Sequence, residues 1–384
     1  MLIDRRTIAQ FDWGLFLSVV AICGFGLINL FSASYDPNAL YRLFSWLPFE
    51  LHSQAFGRQL VFLGIGFMAL LVVLCVPAQV FHRYAYVFYG VCVLLLIAVL
   101  GIGVVVNGSR RWLSFGGFNL QPAEPMKLGL ILALGRYLAA HPPKPGGYTW
   151  RQLVIPAGMV ALPMGLIIDQ PDLGSALSVG IVGAAMILFM GVRLRLLVVG
   201  VLIGLAAAYP AWHALHPYQQ SRIVTLFNPD ADPRGKGYHI IQSKIAVGSG
   251  ELLGKGYVQG TQTQLEFLPE HTTDFVFSVV AEEWGFVGCL FVIALYGFLV
   301  FRLLRVVARS RDLYGGIITL GVTAVLFFHT VINIGMVIGL LPVVGIPLPL
   351  FSHGGSSVLS AMIGIGIALG VSMRRYIFSP RGIL

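Results

Sequence analysis

Long apolar runs broken by short polar stretches dominate this chain, and a helix needs about 20 apolar residues to cross a bilayer. Ten runs can be read, at residues 12–33, 58–76, 84–106, 123–140, 152–168, 173–190, 194–212, 274–301, 314–340 and 356–374. The pattern predicts an all-α polytopic membrane protein with ten transmembrane helices. One large extracytoplasmic loop, residues 213–273, separates the seventh helix from the eighth. Its helix-compatible stretch from Tyr238 to Val247 predicts a part folded over the outer surface. No internal repeat is evident, which weighs against an inverted-repeat transporter, so residues 1–384 read as one integral membrane domain. The run at 13–33 is too long for a signal peptide and lacks a cleavage site, so an uncleaved first span is expected.

Composition agrees with this reading. The 384 residues are 57% hydrophobic and only 11% charged, with mean hydropathy +0.84, outside the range of soluble domains. A formal charge of +9 would suit nucleic acid, but the basic residues are scattered through short loops and form no patch, so no nucleic-acid partner is expected. Cys23, Cys75, Cys92 and Cys289 lie in apolar runs without metal-ligand spacing and read as packing residues. With the N-terminus in the cytoplasm, 15 of the 25 Lys and Arg fall in inner loops and helix ends. Only Asp4, Asp12 and Asp312 of the 16 acids do. The positive-inside rule then places both termini in the cytoplasm of a multi-pass protein.

The outer face is where chemistry is expected, because four irregular or polar segments meet there: 107–122, 169–172, 213–273 and 341–357. Arg110, Arg111 and Trp112 are either an interfacial anchor or a phosphate-binding cluster, and paired arginines outside favour the second. Glu124 and Lys127, three apart at the start of a helix marked by Pro122 and Pro125, share a face. They are a packing ion pair, a substrate-contacting pair, or both. Asp172 follows Pro171 and opens the next helix, so capping is its favoured reading in isolation.

Asp274 stands where polar sequence enters an apolar helix, and catalysis is favoured over helix capping. A carboxylate at the centre of a membrane helix costs at least about 2.5 kcal/mol, so acids kept there usually line a wet cavity. Along one helix Glu282 would lie about 12 Å beyond Asp274. Glu282 and Glu283 are therefore expected one or two turns deeper, in a structural pairing with Lys127 or an arginine. His329 and Asn333, four apart, read as a polar pair bonding across helices. The prolines of 342–349 exclude a helix and predict an irregular, partly re-entrant loop. Gly354, Gly355, Ser356 and Ser357 open the last helix, and offer backbone N–H groups to an anion or simply start that helix.

Several stretches together resemble the shape, elongation, division and sporulation (SEDS) family of polytopic membrane glycosyltransferases, its rod-shape members above all. They are Arg-Arg-Trp-Leu at 110–113, Gln-Pro-Ala-Glu-Pro-Met-Lys at 121–127 and Gln-Pro-Asp-Leu-Gly at 170–174. Phe-Leu-Pro-Glu-His-Thr-Thr-Asp-Phe at 267–275 and the run from Asn333 to Ser357 complete the set. Family members more often carry Tyr where His353 stands. The resemblance implies polymerisation of lipid II, the undecaprenyl-linked disaccharide-pentapeptide, into β-1,4 glycan strands outside the cytoplasmic membrane during elongation. It places the family's essential aspartate on Asp274 and its other sensitive positions on Arg111, Glu124, Lys127 and Asp172. It also implies a class B penicillin-binding protein as partner.

On that reading Asp274 is the base that takes the acceptor hydroxyl's proton. Arg111, with Arg110 and Lys127, offsets the departing diphosphate, Glu124 holds Lys127, and Ser356 belongs to the substrate wall. The prenyl tail is expected in a groove between spans. A divalent cation, Mg or Mn, could share the diphosphate charge, although no dedicated ligand set is visible and no metal residue is assigned. The rival readings are a lipid II flippase and a non-catalytic cell-wall scaffold.

Overall fold

Each apolar run becomes a helix, because a backbone surrounded by hydrocarbon must satisfy its hydrogen bonds within itself. The computed structural model describes residues 10–38, 40–42, 50–106, 109–115, 118–214, 217–229, 236–265, 267–268 and 270–374. Asp4, Arg5, Arg6, Arg375 and Arg381, used above for orientation, lie outside the described residues, as do 107, 108, 116, 117 and 269 within the motifs. The first seven helices are α1 (Trp13–Ala33), α2 (Gln54–Cys75), α3 (Ala78–Ile102), α4 (Ala123–Ala140), α5 (Trp150–Ile168), α6 (Leu173–Phe189) and α7 (Leu194–Ala214). The 213–273 segment adds α8 (Pro217–Phe227), α9 (Lys236–Ser249) and α10 (Thr261–Gln264). Last come α11 (Val276–Arg309), α12 (Leu313–Val337) and α13 (Gly355–Arg374).

Seven of these, α1, α2, α3, α5, α11, α12 and α13, are long and apolar enough to cross a membrane. Local chemistry sets their starts. Asp12, Ser53, Asp172 and Asp312 accept hydrogen bonds from the first turns of α1, α2, α6 and α12, and Thr149 with Gln152 forms a capping box on α5. The bundle is built around α4 and α12. Helix α12 packs on α4, α6, α11 and α13, while α2 packs on α13 and α3 on α4. Most of α4 is buried, whereas Val201, Ile203 and Leu205 of α7 and Leu94 and Ile97 of α3 are exposed. An apolar exterior around a core that holds charged groups is the arrangement expected in lipid.

Two expectations are corrected. The chain is not wholly helical. Strands β1 (Tyr41–Arg42) and β2 (Glu50–Leu51) pair, and β3 (Val104–Val106), β4 (Ser109–Phe115) and β5 (Phe118–Leu120) form a small antiparallel sheet. The β-branched run Val104–Val106 and the aromatic residues Trp112, Phe115 and Phe118 suit a pleated hairpin once the chain leaves α3.

Nor is α11 one straight helix, for it breaks just beyond Glu282 and Glu283. Gly285 has φ 62° and ψ −160°, a conformation essentially restricted to glycine, and it breaks the ladder. The 251–256 segment takes up the freed groups. Phe286 N donates to Glu251 O at 2.9 Å and Val287 N to Leu252 O at 3.2 Å, while Lys255 N and Gly256 N donate to Glu282 O and Glu283 O. A Cβ on Gly285 would lie 2.4 Å from Gly254 N, so no side chain fits between loop and helix. Gly285→Ala is expected to cost about 3 kcal/mol or more, read as a lowered unfolding temperature of the purified protein. An unchanged transition would show that the break is incidental.

Candidate functional site

Segments far apart in sequence converge on one polar cavity of about 330 Å³. The first contribution comes from β4. The register slips here, with Arg110 opposite Val105 and Trp112 opposite Val104, so Arg111 is the extra residue of a bulge and is aimed differently from Arg110. Arg111 lines the cavity, with Nε donating to Ser109 Oγ at 2.7 Å and Nη1 3.7 Å from Asp172 Oδ2. Arg110 is exposed, donates to Leu100 O at 3.2 Å, and is not brought to the cavity. Asp172 caps α6 through Ser175 N at 3.2 Å and also accepts from Gln121 Nε2 at 2.9 Å. It is thus both a cap and the carboxylate that backs Arg111.

Pro122 starts α4 without needing a backbone donor, and the helical spacing that follows sets Glu124 and Lys127 side by side. Lys127 Nζ donates to Glu124 Oε1 at 2.8 Å, with only 3% of the lysine and 6% of the glutamate exposed. Both line the cavity. Lys127 Nζ also lies 3.5 Å from His329 Nε2, which in turn is 2.6 Å from Ser178 Oγ. His329 therefore bonds across helices as expected, and it lines the cavity too.

Asp274 sits in the turn before α11, not on the helix. Phe275 is the N-cap residue and makes no side-chain cap, so the capping alternative for Asp274 is not realised. Glu270 has φ 56° and lies outside α11, so the two acids share a turn and not a helix face. Asp274 N donates to Glu270 O at 3.1 Å. Asn333 Nδ2 donates to Asp274 O at 2.9 Å and to Ile346 O at 2.8 Å, clamping this turn to the irregular 341–354 segment. Ser352 Oγ and His353 N add bonds to Thr273 O and Thr272 O.

The turn holds the carboxyl of Asp274 in the cavity wall with Glu270. Burial, aided by the Glu270 charge, pushes its pKa up to about 6, while Arg111, Arg222 and the Thr273 hydrogen bond pull the other way. Ser356 Oγ donates to Asn119 O at 3.3 Å and accepts from Gln121 N at 3.4 Å, and it lines the cavity with Gly354, Gly355 and Ser357.

Glu282 and Glu283 are not in this cavity, and their partners are neither Lys127 nor an arginine. Glu282 accepts from Lys255 Nζ at 2.7 Å, Gln262 N at 3.0 Å and Thr263 Oγ1 at 3.2 Å, and Glu283 accepts from Ser32 Oγ at 2.5 Å. The break at Gly285 lets the 255–263 segment reach them. They fasten that segment to α11 and α1. Sequence reasoning missed Arg222 of α8, which lines the same cavity as Arg111. Its only signal was a basic residue within the short segment 217–227.

A narrow apolar cleft of about 30 Å³ between α4, α12 and α13, walled by Leu128, Val322, Leu326 and Ala361, shares Glu124, Lys127 and His329 with the polar cavity. Among the described residues no three His, Cys, Asp or Glu side chains gather in a way that could hold a metal ion.

These features define a multi-pass membrane protein with a charged, acid-bearing cavity set among its helices. The chain belongs to the FtsW/RodA/SpoVE family of cell cycle proteins, whose model matches residues 13–377. Peptidoglycan glycosyltransferase MrdB of Escherichia coli K12 is 40% identical over 323 residues, 84% of this chain and 86% of that one. Stage V sporulation protein E of Bacillus subtilis is 36% identical over 352 residues, 90% and 93% of the two chains. The crystal structure of the rod shape determining protein RodA of Thermus thermophilus superposes with TM-score 0.69 at 32% identity, covering 95% of this chain and 98% of that one. A chain of a peptidoglycan synthase complex that coordinates polymerization and crosslinking gives TM-score 0.80 at 34% identity, with the same coverage.

Proposed function

We propose that the protein is a peptidoglycan glycosyltransferase that polymerises lipid II into β-1,4 glycan strands for rod-shape elongation. The relatives' activity supports this reading, and one observation carries it: Asp274 faces into a cavity that also presents Arg111 and the Lys127–Glu124 pair. In the reaction the acceptor 4-hydroxyl oxygen bonds to the donor's anomeric carbon with inversion. Asp274 takes the hydroxyl proton, and the bond to the diphosphate breaks with its electron pair going to the leaving oxygen. Arg111 and Lys127 stabilise that oxygen's growing charge, Glu124 and Asp172 orient the two cations, and Ser356 lies on the substrate wall. A cavity of about 330 Å³ is at the small end for ligand sites, so it suits the reacting diphosphate and sugar more than the whole precursor. The cleft beside Lys127 points to the path of the prenyl tail.

The topology proposed is ten spans in one domain of the cytoplasmic membrane, with both termini inside and 213–273 outside. Asp12 pairs with Arg302, Arg136 Nη1 donates to His82 O and Arg83 O, and Arg374 Nη2 donates to Leu74 O. All of these lie at helix ends or loops assigned to the inner side, whereas the cavity draws on the outer segments. The crosslinking partner is proposed to be a class B penicillin-binding protein.

Purified protein in detergent, given labelled lipid II, is expected to make glycan strands. Detergent offers no bilayer to flip across, so a flippase or scaffold would leave lipid II unchanged. The rate is also expected to depend on pH through Asp274. Its carboxylate is the active form and its pKa lies at about 6, so activity rises as pH climbs through that value and is lost below it. Initial rates between about pH 5 and pH 8 test this, and a flat profile would remove Asp274 from the proton transfer.

A further inference from the structure

We propose that Arg222, presented by α8 from the 213–273 segment, binds the substrate diphosphate together with Arg111, so that α8 forms one wall of the leaving-group subsite. This rests on reading the cavity as the polymerisation site.

Helix α8 is placed to do this. Val224 and Phe227 are exposed, Gln219 and Thr225 are buried, and Arg222 is directed into the cavity wall. The helix packs on α9 and is tied at its start by Gln220 Nε2 donating to Trp212 O at 2.8 Å. Arg222 therefore reaches the cavity from outside the helical bundle, while Arg111 arrives on β4 and Lys127 on α4.

The chemistry calls for such a third cation. As the bond from anomeric carbon to oxygen breaks, the electron pair leaves with the diphosphate, which gains a negative charge. Lys127 is held by Glu124 at 2.8 Å and Arg111 stands 3.7 Å from Asp172, so both are positioned at the cavity by carboxylates. Arg222 adds a further guanidinium to the lining of the same cavity. A guanidinium also presents a planar fork of donors that matches two phosphate oxygens at once.

Arg222 acts on Asp274 as well as on the leaving group. The carboxyl of Asp274 is faced by Glu270 from its own turn, Arg111 from β4 and Arg222 from α8. Glu124, Lys127 and His329 line the same cavity from α4 and α12, and His353 from the 341–354 segment. Removing a positive charge from this set makes the carboxylate harder to form.

The test uses full-length purified protein and two probes, inorganic diphosphate and labelled lipid II. In Arg222→Gln, calorimetric binding of inorganic diphosphate is expected to weaken roughly tenfold or more, as the loss of a charge-assisted hydrogen bond does. The pH midpoint of polymerisation is expected to move upward, a readout that a purely structural residue would not shift. Arg222→Lys keeps the charge without the fork, so it should hold the pH midpoint and bind diphosphate several-fold more weakly. Should Arg222→Gln fail to fold, Arg222→Lys decides through its diphosphate affinity alone. Diphosphate binding equal to wild type in the folded variant, or none in the wild type, would overturn the assignment. A wild type that binds diphosphate but makes no glycan would sink the polymerase reading and leave the anion site standing.

Discussion

Asp274→Asn is expected to lower the polymerisation rate by roughly two to four orders of magnitude while leaving the protein folded. Asparagine is nearly isosteric with aspartate, so the turn before α11 keeps its shape. Its anchor survives as well, because Asn333 grips the backbone carbonyl of residue 274 and not its side chain. What disappears is a group able to accept a proton beside Arg111 and Glu270. The measurement is strand formation from labelled lipid II together with the unfolding temperature. Unmodified polymerisation by the variant would show that another group is the base, or that none is needed.

Breaking the buried pair of α4 is expected to have the largest effect on stability. Lys127→Met keeps the side-chain volume but leaves Glu124 as a buried charge without its ammonium, at a cost of about 3–5 kcal/mol. The double change Glu124→Gln with Lys127→Met removes both charges. It should recover most of the lost thermal stability, since replacing a buried pair by neutral groups is often close to neutral. The double variant is nonetheless expected to be inactive, because Lys127 also points its charge into the cavity. Thermal unfolding and lipid II polymerisation measured side by side separate the two roles. An active double variant would reduce the pair to helix packing.

The extent to which this site could be read in advance follows from the range of each interaction. Glu124 and Lys127 were legible because helical periodicity alone makes neighbours of residues three apart. Asp172 was legible as a cap for the same local reason, yet its bond to Gln121 and its approach to Arg111 needed segments some 50 to 60 residues away. Arg110 and Arg111 were indistinguishable as a dipeptide, and only the bulge at Arg111 in the 109–115 strand set them apart, with Arg111 in the cavity wall. For Glu282 and Glu283 the expected partners failed, because the 255–263 segment and Ser32 reach them through tertiary packing, and one glycine in an apolar run gives no notice of the break beside them. Arg222 had no pattern to reveal it. Its importance lies in where α8 packs.

The sequence by itself determined the class of protein. Hydrophobic run lengths, the bias of basic residues and local capping chemistry are short-range signals, and each acts within one helix or one helical end. Tertiary structure alone decided which polar groups share the cavity, how the 251–263 segment ties down the broken α11, and that Asp274 belongs to a turn held by Asn333. Those outcomes depend on hydrogen bonds and charges between residues up to some 250 positions apart, such as Ser32 with Glu283. No local pattern encodes them, because a buried polar group takes whatever partner the packing brings to it.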